Sequence, residues 1–166
     1  MDVRIFGIIK NMSEQSEIPQ KETLPAVPKN RILIFGSGGS GIFEMQKDFK
    51  EYLIKRGIPD PHIQTAKHME NIEPAIFNTF DIPESEEERK KNLPKGIIVL
   101  PTIKQNIDGL DFPVDTYSAK LGNGQTISGY IKSICDKYQV PVIFLRKDYS
   151  REKTEKEINR LLKLNK

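Results

Sequence analysis

The chain has 166 residues and a mass of 19.0 kDa, with 37% hydrophobic and 30% charged residues, the proportions of one soluble globular domain large enough to bury a core. Its 26 basic and 23 acidic side chains leave a net charge of +3, too small an excess to build the basic face that nucleic acid requires. Cys135 is the sole cysteine, which excludes an intramolecular disulfide. There is no apolar run long enough for a membrane span or a signal peptide, so a cytoplasmic setting is expected.

Taken in chain order, Val3–Ile9 has the apolar, β-branched character of a strand. The polar stretch from Asn11 to Asn30, with three prolines, reads as a linker, so residues 1–30 are expected to form an N-terminal strand and flexible arm outside the main domain. Arg31–Phe35 predicts a buried strand that runs into a glycine-rich loop. In the following helix Ile42, Met45, Phe49, Tyr52 and Leu53 recur at helical spacing, and Gly57, Pro59 and Pro61 end it. A weaker strand is predicted at His62–Ala66 and a short helix around Ile72, Ile76, Phe77 and Phe80. Glu84–Lys91 reads as a solvated face.

Lys95–Leu100 predicts a second buried strand that closes on Pro101 and Thr102. Residues 103–125 read as a long loop. Thr126–Tyr138 reads as an amphipathic helix, with Ile127, Tyr130, Ile131 and Ile134 on one side. Val140–Leu145 is a third strand, and Ser150 is placed to cap a last helix whose Ile158, Leu161 and Leu162 face the core. Continuous apolar strands alternating with amphipathic helices predict an α/β fold: a three-layer Rossmann-like domain over residues 31–166 with a mainly parallel sheet. Ligands of such sheets lie at the carboxyl ends of the strands.

The chemistry is expected in two loops. In the first, Gly36, Ser37, Gly38, Gly39, Ser40 and Gly41 join strand to helix, and glycines allow backbone N–H groups to approach a phosphate closely. This is not a Walker A loop, because no Gly-Lys-Ser/Thr follows. It has the spacing of a dinucleotide fingerprint without the acidic residue that should close the second strand. In the second loop, Asn123, Gly124, Gln125 and Thr126 offer neutral hydrogen-bonding groups suited to a sugar or base, and the alternative is a turn with a helix cap. Thr102 at the end of the second strand completes the ligand-binding set. Asp115 and Tyr117 are placed near the cleft by position alone. His62 and His68 have no acid or cysteine at ligand spacing, so no metal is expected. Cys135, among apolar helix residues, reads as core.

Gly38-Gly39-Ser40-Gly41-Ile42-Phe43-Glu44 resembles the Gly-Gly-x-Gly-Ile-Met-Glu segment of the Rossmann-like nucleotide-binding proteins once labelled lysine decarboxylase-like. Gly124-Gln125-Thr126 through Pro141-Val142-Ile143 is similar to a layout those proteins share with nucleoside deoxyribosyltransferases. The resemblance implies a nucleotide ligand and, in the enzymes, cleavage of an N-glycosidic bond assisted by a carboxylate. In this chain Ile127, Ser128, Gly129 and Tyr130 occupy the carboxylate's place, so the resemblance implies binding more than catalysis. Glu44 and Asp115 are the substitute acids. The strand and Gly-Ser-Gly loop also resemble the sugar-phosphotransferase B components, but Phe35 stands where their phosphorylated cysteine would be. The expected function is binding of a phosphate-containing small molecule, with no catalytic residue assigned and no cofactor or nucleic-acid partner. The alternatives are an N-glycoside enzyme and a non-catalytic partner-binding protein, with the arm able to hold a second copy.

Overall fold

The computed structural model describes residues 30–37, 48–78 and 85–164, excepting the side chain of Leu164. From the amino end, β1 (Arg31–Phe35) is followed by α1 (Phe49–Lys55), β2 (His62–Ala66), a 3-10 turn (Met69–Asn71), α2 (Ile72–Phe77) and α3 (Glu86–Lys91). Then come β3 (Gly96–Val99), β4 (Thr102–Ile107), β5 (Leu110–Asp115), α4 (Ile127–Tyr138), β6 (Val142–Phe144) and α5 (Arg151–Leu164).

Strands β2, β1, β3 and β6 form, in that order, a four-stranded sheet in which every neighbouring pair is parallel. All five residues of β1 and all four of β3 are buried, which is why these strands are continuous apolar runs in place of an alternating pattern. Ile32 and Ile34 of β1 and Ile98 of β3 pack with Phe49 and Leu53 of α1 and with Ile158, Leu161 and Leu162 of α5. Leu33, Phe35, Ile97 and Val99 pack with Ile72, Ile76 and Phe77 of α2 and with Ile127, Ile131 and Cys135 of α4. Each such fully buried side chain contributes about 1.5–3 kcal/mol relative to exposure. The mixed α/β architecture read from the sequence is therefore present. Val3–Ile9, the linker as far as residue 29, and Ile42, Met45 and Phe80 lie outside the described residues.

The loop expected over residues 103–125 is corrected in its first half. Thr102–Ile107 and Leu110–Asp115 pair as an antiparallel hairpin. Its two-residue turn holds Asp108 at φ 53° and Gly109 at φ 83°, the two positive angles of a type I′ turn. The Asn106 carboxamide oxygen accepts from the Gly109 N–H at 3.2 Å, which helps close the turn. The signal was in the sequence: Ile103 and Ile107 before Asp-Gly and Leu110, Phe112 and Val114 after it fall on alternate positions, among polar residues and one proline.

Arg31 is the charged residue of the strand expected at Arg31–Phe35, and only 1% of its surface is exposed. Its guanidinium donates to the carbonyl oxygens of Ala75 at 2.6 Å, Ile76 at 2.7 Å and Asn92 at 2.6 Å, and to the Gln64 side chain at 2.8 Å. Ala75 and Ile76 lie in the last turn of α2 and Asn92 caps the end of α3. One cation thus bonds main-chain oxygens at two helix ends, at the negative pole of each helix dipole, and shares the Ala75 oxygen with the Asn78 N–H at 3.4 Å. Desolvation pulls its pKa down to about 10, which still leaves it protonated at neutral pH.

Candidate site at the carboxyl edge of the sheet

From β1 the chain winds to β2 at one edge of the sheet, and from β3 it winds to β6 at the other. Winding reverses between β1 and β3, and at such a switch point the departing loops diverge and leave a crevice. The segments that leave there are the loop starting at Gly36 and the run Leu100–Thr102.

These two segments are in direct contact. The Ser37 N–H donates to the Thr102 carbonyl at 2.8 Å, and the Leu100 N–H donates to the Phe35 carbonyl at 2.7 Å. The Gly36 N–H turns the other way, to the carbonyl of Ala66, the last residue of β2, at 2.9 Å. Gly36 holds φ +118°, and a Cβ there would lie 2.5 Å from the Thr102 oxygen and 2.7 Å from Leu100 Cβ. The glycine is a steric requirement of the β1–β3 junction. Both amides are already occupied, so backbone donation to an anion would have to come from residues after Ser37. Gly38, Gly39, Ser40, Gly41 and Glu44 lie outside the described residues.

The second loop lies at the same end of the sheet through a relay of hydrogen bonds. The buried Thr116 hydroxyl lies 2.9 Å from the Leu100 carbonyl and 2.8 Å from that of Pro101, while the Thr116 carbonyl accepts from the Ser128 N–H at 2.8 Å. Thr126 caps α4: its Oγ1 accepts from the Gly129 N–H at 3.1 Å. The Ile127 N–H donates to the Ala119 carbonyl at 3.1 Å, so the first three amides of α4 are all partnered. Asn123 and Gln125 bond to each other, through side chains at 2.9 Å and from the Gln125 N–H to Asn123 Oδ1 at 3.0 Å. Gly124, at φ +85°, closes that turn with its N–H on the Leu121 carbonyl. The turn-and-cap alternative accounts for these contacts.

Asp115 also has a structural task. One carboxylate oxygen accepts from the Tyr117 N–H at 2.8 Å and the Ser118 N–H at 3.1 Å, and the other is 3.9 Å from Lys147 Nζ. The Tyr117 hydroxyl donates to the Leu145 carbonyl at 2.6 Å, which ties the hairpin exit to the end of β6, and burial pushes its pKa up to about 12. Sequence reasoning missed Thr116, which looks like any loop threonine. It also missed the exposed cations Arg146 and Lys147, which follow β6 at this edge. A basic pair directly after an apolar strand was the available signal for those two.

Cys135 is 1% exposed and burial pushes its thiol pKa up to about 12. A neutral buried thiol is a poor nucleophile. In a native sample near pH 8, a disulfide reagent should therefore label Cys135 only at the rate of unfolding. Labelling at the rate of a free thiol would show that α4 opens locally.

Among the described residues no group of three or more His, Cys, Asp or Glu side chains is placed to hold a metal ion, and no helix is long and apolar enough to cross a membrane. No protein-family model, curated protein or solved structure matches this chain.

Proposed function

We propose that this chain binds a phosphate-bearing small molecule, a nucleotide or nucleotide derivative, in the crevice between the carboxyl ends of β1 and β3 of a three-layer Rossmann-like domain. The observation that carries the reading is the position of Gly36. The glycine-rich run leaves the sheet at its topological switch point, the usual ligand position in open parallel sheets. In this reading the amides of Gly38 to Gly41 hold the phosphate. Ser37 and Thr102 line the crevice floor, and Arg146 and Lys147 contribute positive potential from the neighbouring strand. Asn123, Gln125 and Thr126 meet the sugar or base by exchanging their present internal bonds. The role is that of a sensor, carrier or sequestering module, since no acid stands in the position that N-glycoside chemistry uses.

The test is a thermal-shift series on the full chain with AMP, ATP, ADP-ribose, ribose 5-phosphate and inorganic phosphate, followed by recovery of each stabilising compound. A ligand of the folded state at about 100 times its dissociation constant adds roughly 2.7 kcal/mol, readily seen in a melt. The expected result is a shift with at least one organic phosphate that disappears in Gly39→Asp, with the compound recovered intact. Conversion of the compound would replace the binding role with an enzymatic one. No shift with any of the five would overturn the proposal.

A further inference from the structure

The hairpin β4–β5 leaves an apolar surface that no described residue covers. Directly opposed residues of an antiparallel ladder share a face, which here groups Ile103 with Val114, Gln105 with Phe112 and Ile107 with Leu110. At the base of this face Ile103 is fully buried in the core. Toward the turn, Ile107, Leu110 and Phe112 are 47%, 64% and 44% exposed. The opposite face is polar and partnered: His68 Nε2 is 2.9 Å from one Asp111 carboxylate oxygen, and the Asn106 carboxamide donates to the other at 3.1 Å. The hairpin is therefore anchored on one side and open on the other.

We propose that this face seats Val3–Ile9 of the same chain. That segment places five large apolar residues, Val3, Ile5, Phe6, Ile8 and Ile9, in seven positions, the densest apolar run outside the described residues. The twenty residues of 10–29 separate it from Asn30, where the described chain begins at the amino end of β1. Extended at ~3.3 Å per residue they reach ~66 Å, well beyond the combined length of a five-residue strand and a six-residue hairpin. A second copy is a poorer occupant. Three half-exposed side chains fall far short of the ~1,200 Å² that a stable interface between separate molecules buries. A tethered segment escapes that requirement because its local concentration is on the order of millimolar. Contact is through the face and not the edge, since Pro113 interrupts the donor row along the outside of β5.

Amide hydrogen exchange on the full chain tests this from both sides. Ile5→Asp/Ile8→Asp should speed exchange in residues 105–112 about tenfold, and Leu110→Asp should do the same for residues 3–9. Unchanged exchange of β1 and β3 in the same samples reports an intact sheet, and the N-terminal variant remains informative if Leu110→Asp fails to fold. Hairpin exchange that ignores the N-terminal substitutions overturns the proposal. So does protection that grows with protein concentration, which would identify a second copy as the occupant.

Discussion

Gly36→Ala should destabilise the fold by about 2–5 kcal/mol, combining strained positive-φ backbone with overpacking. The added methyl meets the Thr102 carbonyl at 2.5 Å and Leu100 Cβ at 2.7 Å, neither of which can swing aside as a flexible chain end would. Relief would require β1 to separate from the β3–β4 connection, where Ser37 and Leu100 make their cross-strand bonds. Gly124→Ala is the control. Gly124 also has positive φ, at +85°, but nothing lies within 4 Å of a Cβ there. It should lose only the backbone component, about 1–2 kcal/mol. Urea midpoints of the two variants and the parent protein measure the difference, provided the slopes agree. Equal losses would show that the β1–β3 junction adapts and that Gly36 is there for its torsion alone.

Arg31→Met should cost about 3–5 kcal/mol although it keeps most of the side-chain volume. It removes the guanidinium donors to the carbonyls of Ala75, Ile76 and Asn92, of which the bonds to Ala75 and Ile76 are buried. Arg31→Lys should recover only part of the loss, because an ammonium cannot reproduce the planar fork that spans two helix ends. Hydrogen exchange locates the effect: α2 and the end of α3 should open before β1 and β3. A methionine variant as stable as the parent would mean that water replaces the guanidinium.

The end of β1 at Gly36 was legible because glycine makes a conformational statement that survives without context. The run from Gly36 to Gly41 marked a strand-to-helix loop, and the structure places its first two residues at the switch point. The structural work of Gly36 was not legible: Thr102, which it must not touch, is 66 positions away in sequence. Asn123, Gln125 and Thr126 were recognisable as polar loop residues, but the choice between facing a ligand and closing a turn depends on local geometry. Thr116 gave no signal and Tyr117 only that of its position, since their partners are main-chain oxygens distant in sequence.

For the fold, β1, β3 and β6 declared themselves as continuous apolar runs, and α4 and α5 as helical stripes. Burial on two faces or on one is written into local composition, and the hydrophobic effect acts on each segment in the same way wherever it packs. The hairpin was equally local, with Asp108-Gly109 between alternating residues, and a reading for two-residue turns would have found it. The strand order β2-β1-β3-β6, the burial of Arg31 and the crowding at Gly36 belong to another class. Each is set by which elements become neighbours, and that choice is made by the summed packing of both sheet faces and by carbonyls that must find donors across the chain. No short window of residues contains that information.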